Sequence, residues 1–203
     1  METFNLDANV KDVYEIIAHE FDDKRQTTWD WIEEFLDQYP SGSLVYDIGC
    51  GPGRNIRPGM IGIDNCDNFL EICRKKNKDV MYGSMIELPI ESESGIGLIC
   101  IAAFHHLKTP ELRLKALGEF KRILKPGSKM LISVWSIDQS CNKKLKFEYG
   151  DNLVPWTKPG KHTFMRYYYI FKDEEIRDLF QKAGLLVLSH KWVHGNEIYT
   201  LEC

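Results

Sequence analysis

The chain has no excess of basic residues, no long apolar run and no paired-cysteine motif, and each absence removes a class of protein. Its 203 residues carry 26 Lys and Arg against 30 Asp and Glu, a net charge of −4 at neutral pH. A domain that holds nucleic acid by its own charge usually has a basic balance. Contact with RNA would therefore rest on a local patch or on a partner. No apolar run approaches the roughly 20 residues needed to cross a bilayer, and the polar N-terminus does not read as a signal peptide. The six cysteines, at 50, 66, 73, 100, 141 and 203, form no C-x-x-C pair and no cluster with histidine. They read as reduced thiols of a cytoplasmic protein without a metal site of its own, the nucleus being a second compartment compatible with them. No internal repeat is present. The ordinary apolar and charged fractions, 43% and 28%, suit one domain over 1–203, long enough to bury about 70% of its unfolded surface.

What is present begins with Asp47-Ile48-Gly49-Cys50-Gly51-Pro52-Gly53. The apolar run Leu44-Val45-Tyr46 reads as a buried strand that ends in this glycine turn. Glycines at 49, 51 and 53 allow positive φ and let a ligand approach the main chain. The dinucleotide-binding fingerprint would need its third glycine at position 54, which is Arg54. Met60-Ile61-Gly62-Ile63 reads as a second strand ending in Asp64, where a carboxylate can accept both hydroxyls of a ribose. Further strand signals lie at 79–82, 97–102 and 129–135, with helical patterns between them. Thr109-Pro110 is a cap followed by proline in the first turn. Alternating strands and helices imply a mostly parallel sheet covered on both faces. A helix around 173–183, strands near 185–193 and 197–202, and the tight-turn sequence His194-Gly195-Asn196 add a closing antiparallel hairpin. Helical spacing over Val10–Phe21 and a second helix at about 27–38 form an N-terminal cap over 1–40. The segment 139–170 reads as a substrate-facing irregular stretch.

The acid followed by G-x-G-x-G resembles motif I of the Rossmann-like, class I S-adenosylmethionine methyltransferases. A seven-stranded sheet with a C-terminal hairpin is the fold that this implies. The cofactor contacts implied are Asp47, Gly49, Cys50, Gly51, Gly53, Asp64, Ser84, Met85 and Ala102, all at strand ends. Ser84 stands where the family commonly has an aspartate toward the adenine. Four further segments narrow the resemblance: Val13 to Ala18 continuing to Phe21, Arg25 and Trp29; the short gap from Asp47 to Asp64; Phe104-His105-His106-Leu107 with Thr109 and Arg113; and Val154-Pro155-Trp156 with Arg166-Tyr167-Tyr168. Together they are similar to the tRNA wobble-uridine carboxymethyl methyltransferases, which esterify 5-carboxymethyluridine. Two features depart from the family: only residues 157–165 separate the two late motifs, and Tyr169 stands where histidine is usual.

That resemblance implies a tRNA substrate and a small zinc-binding activator subunit that also serves other methyltransferases, forming a heterodimer. A carboxylate is already ionised at neutral pH, so its methylation needs grip and orientation rather than a base. Arg25 and Arg166, with His106 and Tyr167 beside them, are the catalytic candidates, because a guanidinium fork pairs bidentately with a carboxylate. Trp135 and Trp156 are candidates for stacking on a base. Lys143, Lys144, Lys146, Lys158, Lys161 and His162 are candidates for tRNA phosphates. Val80-Met81-Tyr82 is expected at an open sheet edge that a partner could cover. Two other readings stay open at this point: a small-molecule O- or N-methyltransferase, and a cofactor-binding scaffold without catalysis.

Overall fold

The computed structural model describes residues 10–23, 27–141, 145–157 and 163–203. Arg25, Lys143, Lys144, Lys158, Lys161 and His162 lie outside them. Two helices come first, α1 (Val10–Asp23) and α2 (Asp30–Leu36). Strands β1 (Val45–Ile48) and β2 (Ile61–Asp64) follow with no helix between them. Pro52, Pro58 and positive φ at Gly49, Gly51, Gly53 and Gly59 leave no room there for a helical turn. Next come α3 (Asp67–Lys75), β3 (Val80–Tyr82), β4 (Gly95–Ile101), a 3₁₀ turn over Phe104–His106, α4 (Pro110–Ile123) and β5 (Leu124–Trp135). Thr109 caps α4 as its spacing predicts, its hydroxyl accepting from Leu112 N at 3.3 Å. The chain closes with β6 (Gly150–Thr157), β7 (Thr163–Ile170), α5 (Asp173–Lys182), β8 (Leu186–Val193) and β9 (Asn196–Glu202).

Seven strands form one sheet in the order β3-β2-β1-β4-β5-β9-β8. The first five are parallel, and β9 runs antiparallel between β5 and β8. Period-two alternation divides the core. Ile48, Leu98, Cys100, Met130 and Ile132 face α4 and α5, whereas Val45, Ile99, Ile101 and Leu131 face Trp31, Ile32 and Phe35 of α2. The β8–β9 turn is tight because His194 and Gly195 both take positive φ, 47° and 78°. The chain winds one way through β1, β2 and β3 and the other way from β4, so the crevice beyond the ends of β1 and β4 is the switch point where ligands bind in such sheets.

The segment expected to be irregular, 139–170, is ordered over most of its described length. β6 and β7 pair antiparallel as a separate two-stranded sheet, with Val154 opposite Arg166 and Leu153 opposite Tyr167. Pro155 hid this strand from the sequence reading, since proline cannot donate within a ladder. An edge of a two-stranded sheet tolerates it.

Candidate active site

A cavity of about 740 Å³ opens at the switch point, within the range of small-molecule sites. One end is built by the glycine turn. Gly49 has φ 71°, and a Cβ there would stand 2.5 Å from the Ala103 Cβ, so only glycine fits. Asp64, at the end of β2, lines the cavity. Its Oδ2 accepts from Gly51 N at 2.8 Å and its Oδ1 from Cys66 N at 2.9 Å. Burial raises its pKa above the usual carboxylate range, and these N–H donors oppose the rise. Each oxygen keeps a lone-pair direction for a ligand hydroxyl. Cys50, Ser84, Met85 and Ala102 also line this end. Ala102 holds φ 50°, a left-handed conformation rare outside glycine, pinned by its N–H donating to Ser133 O at 3.0 Å.

Three of the expected contacts lie just behind the wall. Gly51 and Gly53 shape the turn without lining the cavity, and a Cβ on Gly53 would meet Cys73 Sγ at 2.8 Å. Asp47 is wholly buried, with Asn55 as the one polar side chain among the described residues acting on its carboxyl through a hydrogen bond, a contact too long or bent to count as a full bond. Burial pushes its pKa up to about 7, Asp64 adds to the rise, and Arg54 opposes it.

The other end is aromatic. Tyr14 and Phe21 of α1, Trp135 at the end of β5 and Tyr168 of β7 line it together with His106. His106 Nδ1 lies 2.7 Å from the Tyr167 carbonyl oxygen and must donate to it. Its Nε2 therefore carries the lone pair that accepts the Tyr14 hydroxyl at 3.0 Å. Burial lowers the His106 pKa to about 4; the Tyr167 carbonyl resists this and the Arg166 charge adds to it. His106 is thus a neutral ring with both nitrogens engaged, and it orients its surroundings rather than acting as a free base. His105 behind it is also kept neutral by burial, with the Arg166 charge adding to the effect. Its Nδ1 accepts from Trp135 N at 3.1 Å, and its Nε2 has no partner among the described residues.

Arg166 is 3% exposed, and its Nε and Nη1 have no hydrogen-bond partner among the described residues. Its guanidinium sits among three rings, 5.1 Å from Trp156, 5.3 Å from Tyr168 and 5.9 Å from Tyr14. Asp151, on the paired strand β6, instead accepts from the Tyr167 hydroxyl at 2.6 Å. Arg166 does not itself line the cavity but lies behind Tyr14 and Tyr168, which do. A buried guanidinium without a carboxylate is costly, and an anionic ligand reaching it past these rings would relieve that cost.

Two sequence expectations change here. Tyr167 does not line the cavity: strand alternation puts Arg166 and Tyr168 on one face of β7 and turns Tyr167 toward Asp151. Trp135 is already stacked on Tyr168 at 4.4 Å and packs against Phe147 at 5.7 Å, which competes with stacking on a base. Tyr14 and Tyr168 were absent from the expected catalytic set. The strand period over 163–170 would have revealed Tyr168, and the helical face shared with Phe21 would have pointed to Tyr14. Of the basic candidates inside the described residues, Lys146 is exposed.

Residues 46–132 match the model of a methyltransferase domain family. The chain is 32% identical over 212 residues to the tRNA (carboxymethyluridine(34)-5-O)-methyltransferase of Schizosaccharomyces pombe, covering 92% of each chain. It is 42% identical over 139 residues to the Macaca fascicularis protein of the same name, covering 66% of this chain and 21% of that one. It is 36% identical over 154 residues to a probable tRNA methyltransferase of Bos taurus, covering 74% of this chain and 33% of that one. The chain thus spans between about a fifth and a third of the first curated relatives it matches. Among solved structures, a chain of the complex between the Haloferax volcanii Trm112 methyltransferase activator and a methyltransferase superposes with TM-score 0.70 at 17% identity, covering 96% of this chain and 97% of that one.

Proposed function

The chain belongs to the tRNA (carboxymethyluridine(34)-5-O)-methyltransferase family, and from that premise we propose that it methylates the carboxylate of 5-carboxymethyluridine at the tRNA wobble position. The observation that carries this reading is Arg166, a buried guanidinium with unpaired N–H groups packed against Tyr14 and Tyr168, two rings that line the aromatic end of the cavity. The substrate carboxylate supplies the missing partner.

The glycine-turn end fits S-adenosylmethionine. Gly49 leaves a cradle that a Cβ would fill, and Asp64, which lines the cavity, offers acceptors to a ribose. Bound there, the cofactor supplies an electrophilic methyl group on a sulfonium. The protein's part is positional. Arg166 holds an already ionised carboxylate. His106, neutral and fixed between Tyr14 and the Tyr167 carbonyl, adds no second positive charge that would over-stabilise the ground state. Tyr14, Phe21, Trp135 and Tyr168 exclude water that would compete for the methyl group.

A zinc-binding activator subunit is part of the proposal. β3 is the outer strand of the sheet, and Tyr82 at its end is 50% exposed. A partner adding to this edge would satisfy its backbone and cover that ring. The proposed compartment is the cytoplasm.

Arg166→Lys and Arg166→Ala test the reading, with methyl transfer to an anticodon stem-loop carrying carboxymethyluridine and cofactor affinity measured side by side. Losing the fork should lower kcat/KM about tenfold to a hundredfold, corresponding to roughly 1.5–3 kcal/mol, with cofactor affinity unchanged. Full activity in a folded Arg166→Ala chain would remove Arg166 from the substrate site.

A further inference from the structure

Asn196 opens β9 directly beside the aromatic end. It pairs in register with Trp135, lines the cavity and is 5% exposed. Its side-chain orientation follows from its neighbours. The amide nitrogen lies 3.4 Å from the Val193 carbonyl and 3.2 Å from the His194 carbonyl. Two acceptors on one side require the NH₂ to face them. The opposite atom, Oδ1, is therefore a fixed acceptor, and it is buried without a partner among the described residues. The tight turn holds this oxygen rigidly, because His194 and Gly195 occupy positive φ and the Gly195 carbonyl is tied to Ser136 N at 2.9 Å and Gln139 Nε2 at 2.8 Å.

A stranded acceptor beside a substrate site calls for a donor on the substrate. Resting on the function proposed above, we propose that Asn196 Oδ1 accepts the N3–H of the uracil ring and makes the enzyme selective for uridine over cytidine. The pyrimidines differ at this atom: uracil N3 carries a hydrogen, whereas neutral cytosine N3 carries a lone pair. Cytosine would set two acceptors against each other in a buried space and leave Oδ1 unsatisfied. Uracil satisfies it. The contact reads the base independently of the carboxylate, which is held by Arg166.

The test compares two synthetic anticodon stem-loops that differ only in the wobble base, 5-carboxymethyluridine or 5-carboxymethylcytidine, using the full chain purified with its activator. The readout is the ratio of their kcat/KM values, which does not depend on the fraction of active enzyme. The unaltered protein should favour uridine by about tenfold to a hundredfold, the range for stranding a buried acceptor. In Asn196→Ala, and in Asn196→Ser should alanine destabilise the turn, the preference should fall to within about threefold, chiefly because cytidine gains. An unaltered protein that methylates both bases equally overturns the inference and leaves the methyltransferase reading intact, as does a variant that keeps full selectivity. An unaltered protein inactive on the uridine stem-loop overturns both.

Discussion

Arg166 and Asp47 are ionisable groups buried behind the walls of one cavity, Arg166 with N–H groups that no described neighbour satisfies and Asp47 with only Asn55 acting on its carboxyl by a hydrogen bond. Their identity was legible from the sequence, one beside a late aromatic motif and the other ahead of the glycine turn. Their isolation was not, because a missing partner depends on what distant segments bring near. For Arg166, the acid on the paired strand, Asp151, is taken by the Tyr167 hydroxyl. For Asp47 the isolation has a pH signature. Its carboxyl titrates near 7 in the fold against the ordinary 3.8. Between about pH 4 and 7 the unfolded chain therefore gives up this proton while the folded chain keeps it, and folding weakens as pH rises through that window, levelling off above 7. Arg54 and Asp64 are the charged groups that act on it. At about 1.4 kcal/mol per tenfold in protonation, the cofactor-free protein should lose on the order of 4 kcal/mol relative to Asp47→Asn between these limits. Urea unfolding of both chains at several pH values measures the difference. A difference that stays constant across the window would show that Asp47 does not remain protonated in the fold.

At the scale of elements, the parallel strands and their helices could be read from apolar periodicity, and the closing hairpin from His194-Gly195-Asn196. The β6–β7 hairpin could not, since Pro155 interrupts its pattern, and with it went the facing of Tyr167 and Tyr168. The docking of α1 was equally hidden, because it depends on a contact across 52 residues. Cys66, the residue before α3, makes no side-chain cap. Glu15 of α1 takes that role, its Oε1 accepting from Asp67 N at 2.6 Å and its Oε2 from Asn68 N at 2.9 Å, while Asn68 Nδ2 donates to the Glu15 carbonyl at 2.8 Å. A carboxylate at a helix N-terminus meets both the unpaired N–H groups and the positive end of the dipole. Through this contact α1 is held where Tyr14 reaches His106 and Phe21 lines the cavity. Glu15→Ala should cost about 0.5–2 kcal/mol of local stability. Amide exchange over 10–23 should accelerate several-fold and cofactor affinity should fall, with the rest of the sheet unchanged. Unchanged exchange in α1 would show that its apolar face, with Val13, Ile17 and Ala18 buried, suffices to hold it.

At the scale of the whole molecule, a chain of net charge −4 is proposed to act on a polyanion. Among the described residues, β3 is the outer strand at one end of the sheet. The proposed activator would cover that edge, stabilise the native state by mass action and extend the surface offered to tRNA. The chain with its activator should be more soluble than the chain alone. Its activity on tRNA should fall with salt more steeply than its affinity for the cofactor, because phosphate contacts release counterions and the enclosed site does not. A soluble isolated chain with full activity would remove the activator and leave the chemistry standing. That chemistry has one direct measurement. Carboxymethyluridine-containing tRNA is incubated with S-adenosylmethionine and the purified complex, digested to nucleosides and weighed by mass spectrometry. The account predicts that the wobble nucleoside gains one methyl group as an alkali-labile ester, and that Arg166→Ala abolishes most of the gain. Methyl transfer to any other position, or none with cofactor bound, would contradict it.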